Sequence, residues 1–159
     1  MEQVCFAAGC FWGVQFYFDE VPGVTATTVG YTGGTLENPT YEDVCYNNTG
    51  HAEGVLVEFD ASKVSFETLC RHFFRLHDPT QLNRQGPDVG DQYRSAIFFT
   101  TEVQQETAKA VLETVQAGLT QPIVTTIEPL GPFYKAEEYH QKYTQKTGRG
   151  QCHIPYQAV

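Results

Sequence analysis

The chain has 159 residues, 41% of them hydrophobic and 18% charged, which fits one globular domain, residues 1–159, with its own core. Ten Lys and Arg against nineteen Asp and Glu leave a net charge of -9, and this argues against a nucleic acid or an anionic lipid surface as partner, because both require a basic patch. No apolar run approaches the roughly 18 residues of a membrane span, and the N-terminus lacks the basic segment and apolar core of a secretory signal, so a soluble, cytoplasmic protein with no membrane partner is expected.

In chain order, "EQVCFAAG" reads as a short strand ending at Gly9, and "FWGVQFYFDEV" as a helix stopped by Pro22 and Gly23. "VTATTVGYTGG" is β-branched and runs into a glycine pair, and "AEGVLVEFDA" alternates like a half-buried strand. "SFETLCRHFFRLH" places Phe66, Leu69, Cys70, Phe73, Phe74 and Leu76 on one helical face, with Ser65 and Thr68 as a weak cap pattern. "LNRQGPDVGDQ" reads as a loop, "YRSAIFFT" as a strand, "EVQQETAKAVLETVQAG" as a helix closing on Gly118, and "IVTTIEPL" as the last clear strand. This order contains a split βαβ unit and predicts a mixed sheet with helices over one face. Beyond Gly131 the chain becomes a polar tail with one helical segment, "KAEEYHQKY", too poor in apolar residues for a second domain and therefore expected to wrap the first.

Five cysteines, Cys5, Cys10, Cys45, Cys70 and Cys152, form no CxxC pair and no Cys/His spacing suited to zinc, so no metal site is expected. Cys5, Cys45 and Cys70 read as small buried hydrophobes. Cys10 lies where the strand pattern gives way to the helix pattern. A helix start stabilises a thiolate through its unpaired N–H groups and lowers the free thiol value of about 8.5. Two readings stand open on residue types alone: a reactive thiol in an aromatic pocket beside Phe11 and Trp12, or a packed cysteine at a strand end.

The polar stretch "GYTGGTLENPTYEDVCYNNTGHAEGV" is long for a connection inside a compact domain, and such segments are often functional. It carries Tyr41, His51 and Glu53. A carboxylate held against an apolar strand has a raised pKa and can serve as a general acid, although Glu53 also reads as an ordinary solvated strand end. Asp88 and Tyr93 lie in "QGPDVGDQYRS", a loop that also reads as a simple turn.

Taken together, "GCFWG", "GYTGG", "NPTYEDVC", "TGHAE", "HDPTQLNRQGPDVGDQYRSAIF" and "AEEYHQKY" resemble the A-type peptide methionine sulfoxide reductases over nearly the whole chain. The resemblance implies an α+β two-layer sandwich with a ferredoxin-like mixed-sheet core and an irregular wrapping C-terminal tail. It also implies thiol-dependent reduction of methionine-S-sulfoxide, free or in proteins. By motif, Cys10 is the nucleophile, Phe11 and Trp12 hold the S-methyl group, and Glu53 protonates the sulfoxide oxygen. Tyr41 and Tyr93 hydrogen-bond that oxygen, Asp88 organises the polar side of the pocket, and His140 matches a family motif without an assigned step. The resemblance makes Cys152 the resolving thiol, in the glycine-rich "TGRGQCHIP", with a Cys10–Cys152 disulfide reduced by thioredoxin, or by dithiothreitol in vitro, and no other cofactor. Some relatives carry two tail cysteines, whereas this sequence has one, so a two-thiol cycle is expected. Two other readings are a cysteine hydrolase with His51 or His140 as base, and a peptide-binding module built on Phe11 and Trp12.

Overall fold

The computed structural model describes residues 2–149. Side-chain alternation explains its organisation. In β1 (Glu2–Ala8), Val4, Phe6 and Ala8 point to one face and Cys5 and Ala7 to the other, and all five are fully buried. A strand covered on both faces belongs inside a sheet, and β1 pairs antiparallel with both β3 (Ala52–Phe59) and β6 (Ser95–Phe99). β2 (Val24–Thr32) and β8 (Phe133–Lys135) continue the sheet antiparallel beyond β3, and β7 (Thr126–Pro129) runs parallel to β6. The order is β7-β6-β1-β3-β2-β8.

The face carrying Val4, Phe6, Val55, Val57, Phe59 and Ile97 packs against α1 (Phe11–Asp19), α3 (Phe66–Leu76) and α4 (Glu102–Ala117). Phe6 stacks on Phe18 of α1 at 4.9 Å and on Phe73 of α3 at 5.2 Å, tying both helices to the central strand. Each such phenylalanine contributes about 1.5–3 kcal/mol by leaving water. The cap read at Ser65 is present: its hydroxyl accepts the Thr68 N–H at 3.1 Å. On the opposite face Cys5, Ala7, Ala52, Ala96 and Phe98 form a smaller cluster covered by Leu130 and Phe133. The architecture is thus a mixed α+β fold, and no helix among the described residues is long and apolar enough to cross a membrane.

Three segments differ from the sequence expectation. The polar stretch after β2 contains a short helix, α2 (Tyr41–Tyr46), and the loop before β6 contains a two-stranded ribbon, β4 (Arg84–Gln85) with β5 (Asp88–Val89), followed by a 3-10 turn at Asp91–Tyr93. The expected helix in "KAEEYHQKY" is broken: β8 ends at Lys135, a 3-10 turn covers Glu138–His140, Lys142 is left-handed at φ 57°, and α5 begins only at Tyr143 (Tyr143–Thr147). Tertiary hydrogen bonds outweigh helix propensity here. The Gln141 amide exchanges two 3.0 Å bonds with the backbone of Val29, as a strand partner would. Lys142 donates its N–H to Gln15 Oε1 at 2.7 Å and its ammonium to Asp19 Oδ2 at 2.6 Å.

Candidate active site

The chain turns from β1 into α1 through Gly9, whose φ of 92° is a conformation that L side chains resist. Cys10 then stands at the N-cap of α1 with 9% of its surface exposed, and no acidic side chain occupies the first helical turn to oppose a thiolate.

Glu53 reaches this point because of strand parity. In β3 the residues at 53, 55, 57 and 59 face the helices, and Glu53 lies opposite Tyr31 of β2 at the end nearest Cys10. The carboxyl group is 1% exposed. Its Oε1 accepts the N–H of Phe11, the residue after Cys10, at 3.3 Å, and its Oε2 accepts Nε2 of Gln92 at 2.9 Å. Burial pushes its pKa up to about 7 against the pull of these two donors, with the negative charge of Asp88 adding to the rise. Glu53 therefore holds its proton to a higher pH than an ordinary carboxyl, a property the solvated strand-end reading does not allow.

Tyr41 opens α2, positioned by a reciprocal cap: Thr40 Oγ1 accepts the Asp43 N–H at 3.1 Å and Asp43 Oδ2 accepts the Thr40 N–H at 3.0 Å. Tyr93 ends the 3-10 turn, and the two phenols interact through their hydroxyls. Burial first, and the Glu53 carboxyl second, raises both above the ordinary phenol value, so each remains a hydrogen-bond donor. Asp88, in β5, is half-buried and lies within electrostatic range of Glu53 and Tyr93.

The aromatic pair divides its work. Phe11 is 1% exposed, its ring packed between Tyr31 at 5.7 Å and His140 at 5.3 Å. Trp12 is half-buried, stacks on Tyr143 at 3.9 Å, and donates its indole N–H to His140 Nδ1 at 2.9 Å. This bond places the remaining imidazole proton on Nε2, and burial lowers the His140 pKa, so the ring stays neutral. His51 is occupied elsewhere: Nδ1 accepts the Gly34 N–H at 3.0 Å and Nε2 lies 2.7 Å from Leu36 O, which ties the loop after β2 to the start of β3.

Three participants escaped the sequence reading. Gln92 is 6% exposed and bonds both Glu53 and, at 3.3 Å, Cys45 Sγ. Glu137 accepts the Tyr31 hydroxyl at 3.0 Å and the Tyr41 N–H at 3.1 Å; burial raises its pKa, but its own backbone N–H together with these donors more than offsets that and holds it below the usual carboxylate range. Cys45 is half-buried beside Gln92 and Tyr41, unlike Cys5 and Cys70, which lie in the core with thiols pushed up by burial. Only the cap of α2, Thr40 with acidic residues in its first turn, had a local signal. Cys152 lies outside the described residues. No cluster of three or more His, Cys, Asp or Glu among the described residues could hold a metal ion.

A thiol at a helix start, a buried carboxyl group with a raised pKa, two phenols and an aromatic wall are thus brought together at one end of the sheet. A family model described as peptide methionine sulfoxide reductase matches residues 2–159, and the chain belongs to that family. It is 54% identical over 154 residues to the peptide methionine sulfoxide reductase MsrA of Methanoculleus marisnigri, covering 96% of this chain and 94% of that one. Among solved structures, Mxr1 of Saccharomyces cerevisiae in its reduced form superposes with a TM-score of 0.89 at 33% identity, covering 98% of this chain and 92% of that one. Mxr1 in complex with Trx2 is similar with a TM-score of 0.67 at 25% identity, covering 98% of this chain and 90% of that one. The activity is accordingly that of an oxidoreductase acting on methionine sulfoxide.

Proposed function

We propose that the chain reduces the S epimer of methionine sulfoxide, free or in oxidised proteins, with Cys10 as nucleophile and Glu53 as acid. One observation carries this reading: the buried Glu53 carboxyl, with its pKa raised to about 7, sits on the amide of the residue following Cys10. Sulfoxide sulfur is a poor electrophile until its oxygen takes a proton. Glu53 supplies that proton while Tyr41 and Tyr93 donate to the same oxygen, as an oxyanion hole would. Asp88 favours the neutral form of Glu53, and Phe11 and Trp12 receive the S-methyl group. Cys10 sulfur bonds transiently to the sulfoxide sulfur; the protonated oxygen then passes to Cys10 as both the substrate S–O bond and this S–S bond break, and the proton lost by the thiol restores Glu53. The sulfoxide is reduced by two electrons to the sulfide, methionine, and the thiol is oxidised by two to Cys10–SOH.

Cys152 then attacks Cys10–SOH, forming a disulfide and releasing water, and a dithiol reductant of the thioredoxin type restores both thiols. The Mxr1–Trx2 complex supports such a partner for this fold. The cycle needs no metal or bound cofactor, and its reducing chemistry suits one cytoplasmic domain. The strand order β6-β1-β3-β2, joined through α1 and α3, supports the ferredoxin-like core, with the segment beyond β8 wrapping α1.

Incubation with each sulfoxide epimer, followed by mass mapping without reductant, tests the whole scheme. The S epimer alone should yield methionine and a Cys10–Cys152 disulfide. Cys152→Ser should release about one methionine per enzyme and stall with thioredoxin; sustained thioredoxin-driven turnover in that variant would remove the resolving assignment.

A further inference from the structure

Gln92 is a buried amide with no part in the scheme above, yet it donates a hydrogen bond to the acid. Its Nε2 lies 2.9 Å from Glu53 Oε2, whereas the Phe11 N–H lies 3.3 Å from Oε1. The second Nε2 hydrogen is directed at Cys45 Sγ, 3.3 Å away, and the turn carrying Gln92 is closed by the Tyr93 N–H on Gly90 O at 3.0 Å. In a neutral carboxyl group the carbonyl oxygen is the better acceptor, so the closer donor selects which oxygen is the carbonyl. Resting on the assignment of Glu53 as the acid, we propose that Gln92 is a positioning residue that makes Oε2 the carbonyl and leaves the transferable proton on Oε1, the oxygen beside Phe11 and Cys10.

The other ionisable groups facing Glu53 are Asp88 of β5, Tyr93 of the turn, Tyr41 of α2 and Tyr31 of β2. Without Gln92 the proton is free to sit on either oxygen, and the ionised form loses that donor. Substitution should therefore slow proton delivery and also make Glu53 harder to ionise.

The test follows the C=O stretch of protonated Glu53 by difference infrared spectroscopy, assigned as the band missing from Glu53→Gln, together with single-turnover methionine release. In Gln92→Met, and in Gln92→Asn, whose amide is one methylene too short, the midpoint of the band should rise by about one pH unit. Its frequency should also rise and the first-turnover rate fall about tenfold at acid pH. A midpoint that stays or falls overturns the proposal, because an amide that accepts the Glu53 proton, or one that only packs, would give that result. Circular dichroism shows which variants are folded, and either folded variant decides. Undiminished first turnover in Glu53→Gln would instead sink the acid assignment, whatever the band does in the Gln92 variants.

Discussion

The start of α1 and the segment from Gly33 to Glu53 bring reactive groups to the same place, by opposite means. Around Cys10 everything needed is local: a strand ends, Gly9 turns the chain at φ 92°, and a helix begins. Around Tyr41 and Glu53 almost nothing is local. Tyr41 hangs on its cap and on Glu137, 96 positions away in sequence, while Glu53 keeps its proton through burial, against the pull of Gln92, 39 positions away. A helix start can place a nucleophile by itself, but a neutral acid requires a folded interior to exclude water from it.

Removing either half should cost most. Cys10→Ser should abolish methionine release, and Glu53→Gln should lower the first-turnover rate by about 10²–10⁴-fold, both read by rapid quench. Near-normal rates in Glu53→Gln would mean that the local half suffices and would break the contrast. The phenols come next. Tyr41→Phe and Tyr93→Phe should each slow the same step by up to about 10²-fold, with Cys10 still able to react with a small alkylating agent. Thr40→Ala should act most gently. It removes the cap of α2 at a cost of about 1 kcal/mol in thermal unfolding and lowers turnover only through misplacement of Tyr41. A loss as large as that of Tyr41→Phe would show that the cap, more than Glu137, holds the phenol.

This contrast also explains what could be read from the sequence. The long elements β1, α1, β2, β3, α3, β6 and α4 were legible because each carries its own hydrophobic period, and Cys10 was legible because it sits where two periods meet. α2 was hidden in a polar stretch although Thr40 and Asp43 marked its start. The broken segment at Glu138–Lys142 was misread because Gln141 and Lys142 answer to Val29, Gln15 and Asp19 rather than to their neighbours. Gln92 and Glu137 carry no local mark of function; their importance arises from what the fold sets beside them. The resemblance supplied the remaining roles, and the geometry gives Glu53 its physical basis.

The most direct measurement is the pH dependence of the first turnover in the parent protein and in Glu53→Gln. A neutral acid with a pKa of about 7 is present below that pH and lost above it, so the parent rate should fall as pH rises through 7. Glu53→Gln should be slow throughout and lack that limb. A parent rate that holds constant to pH 9, or the same limb surviving in Glu53→Gln, would contradict the account.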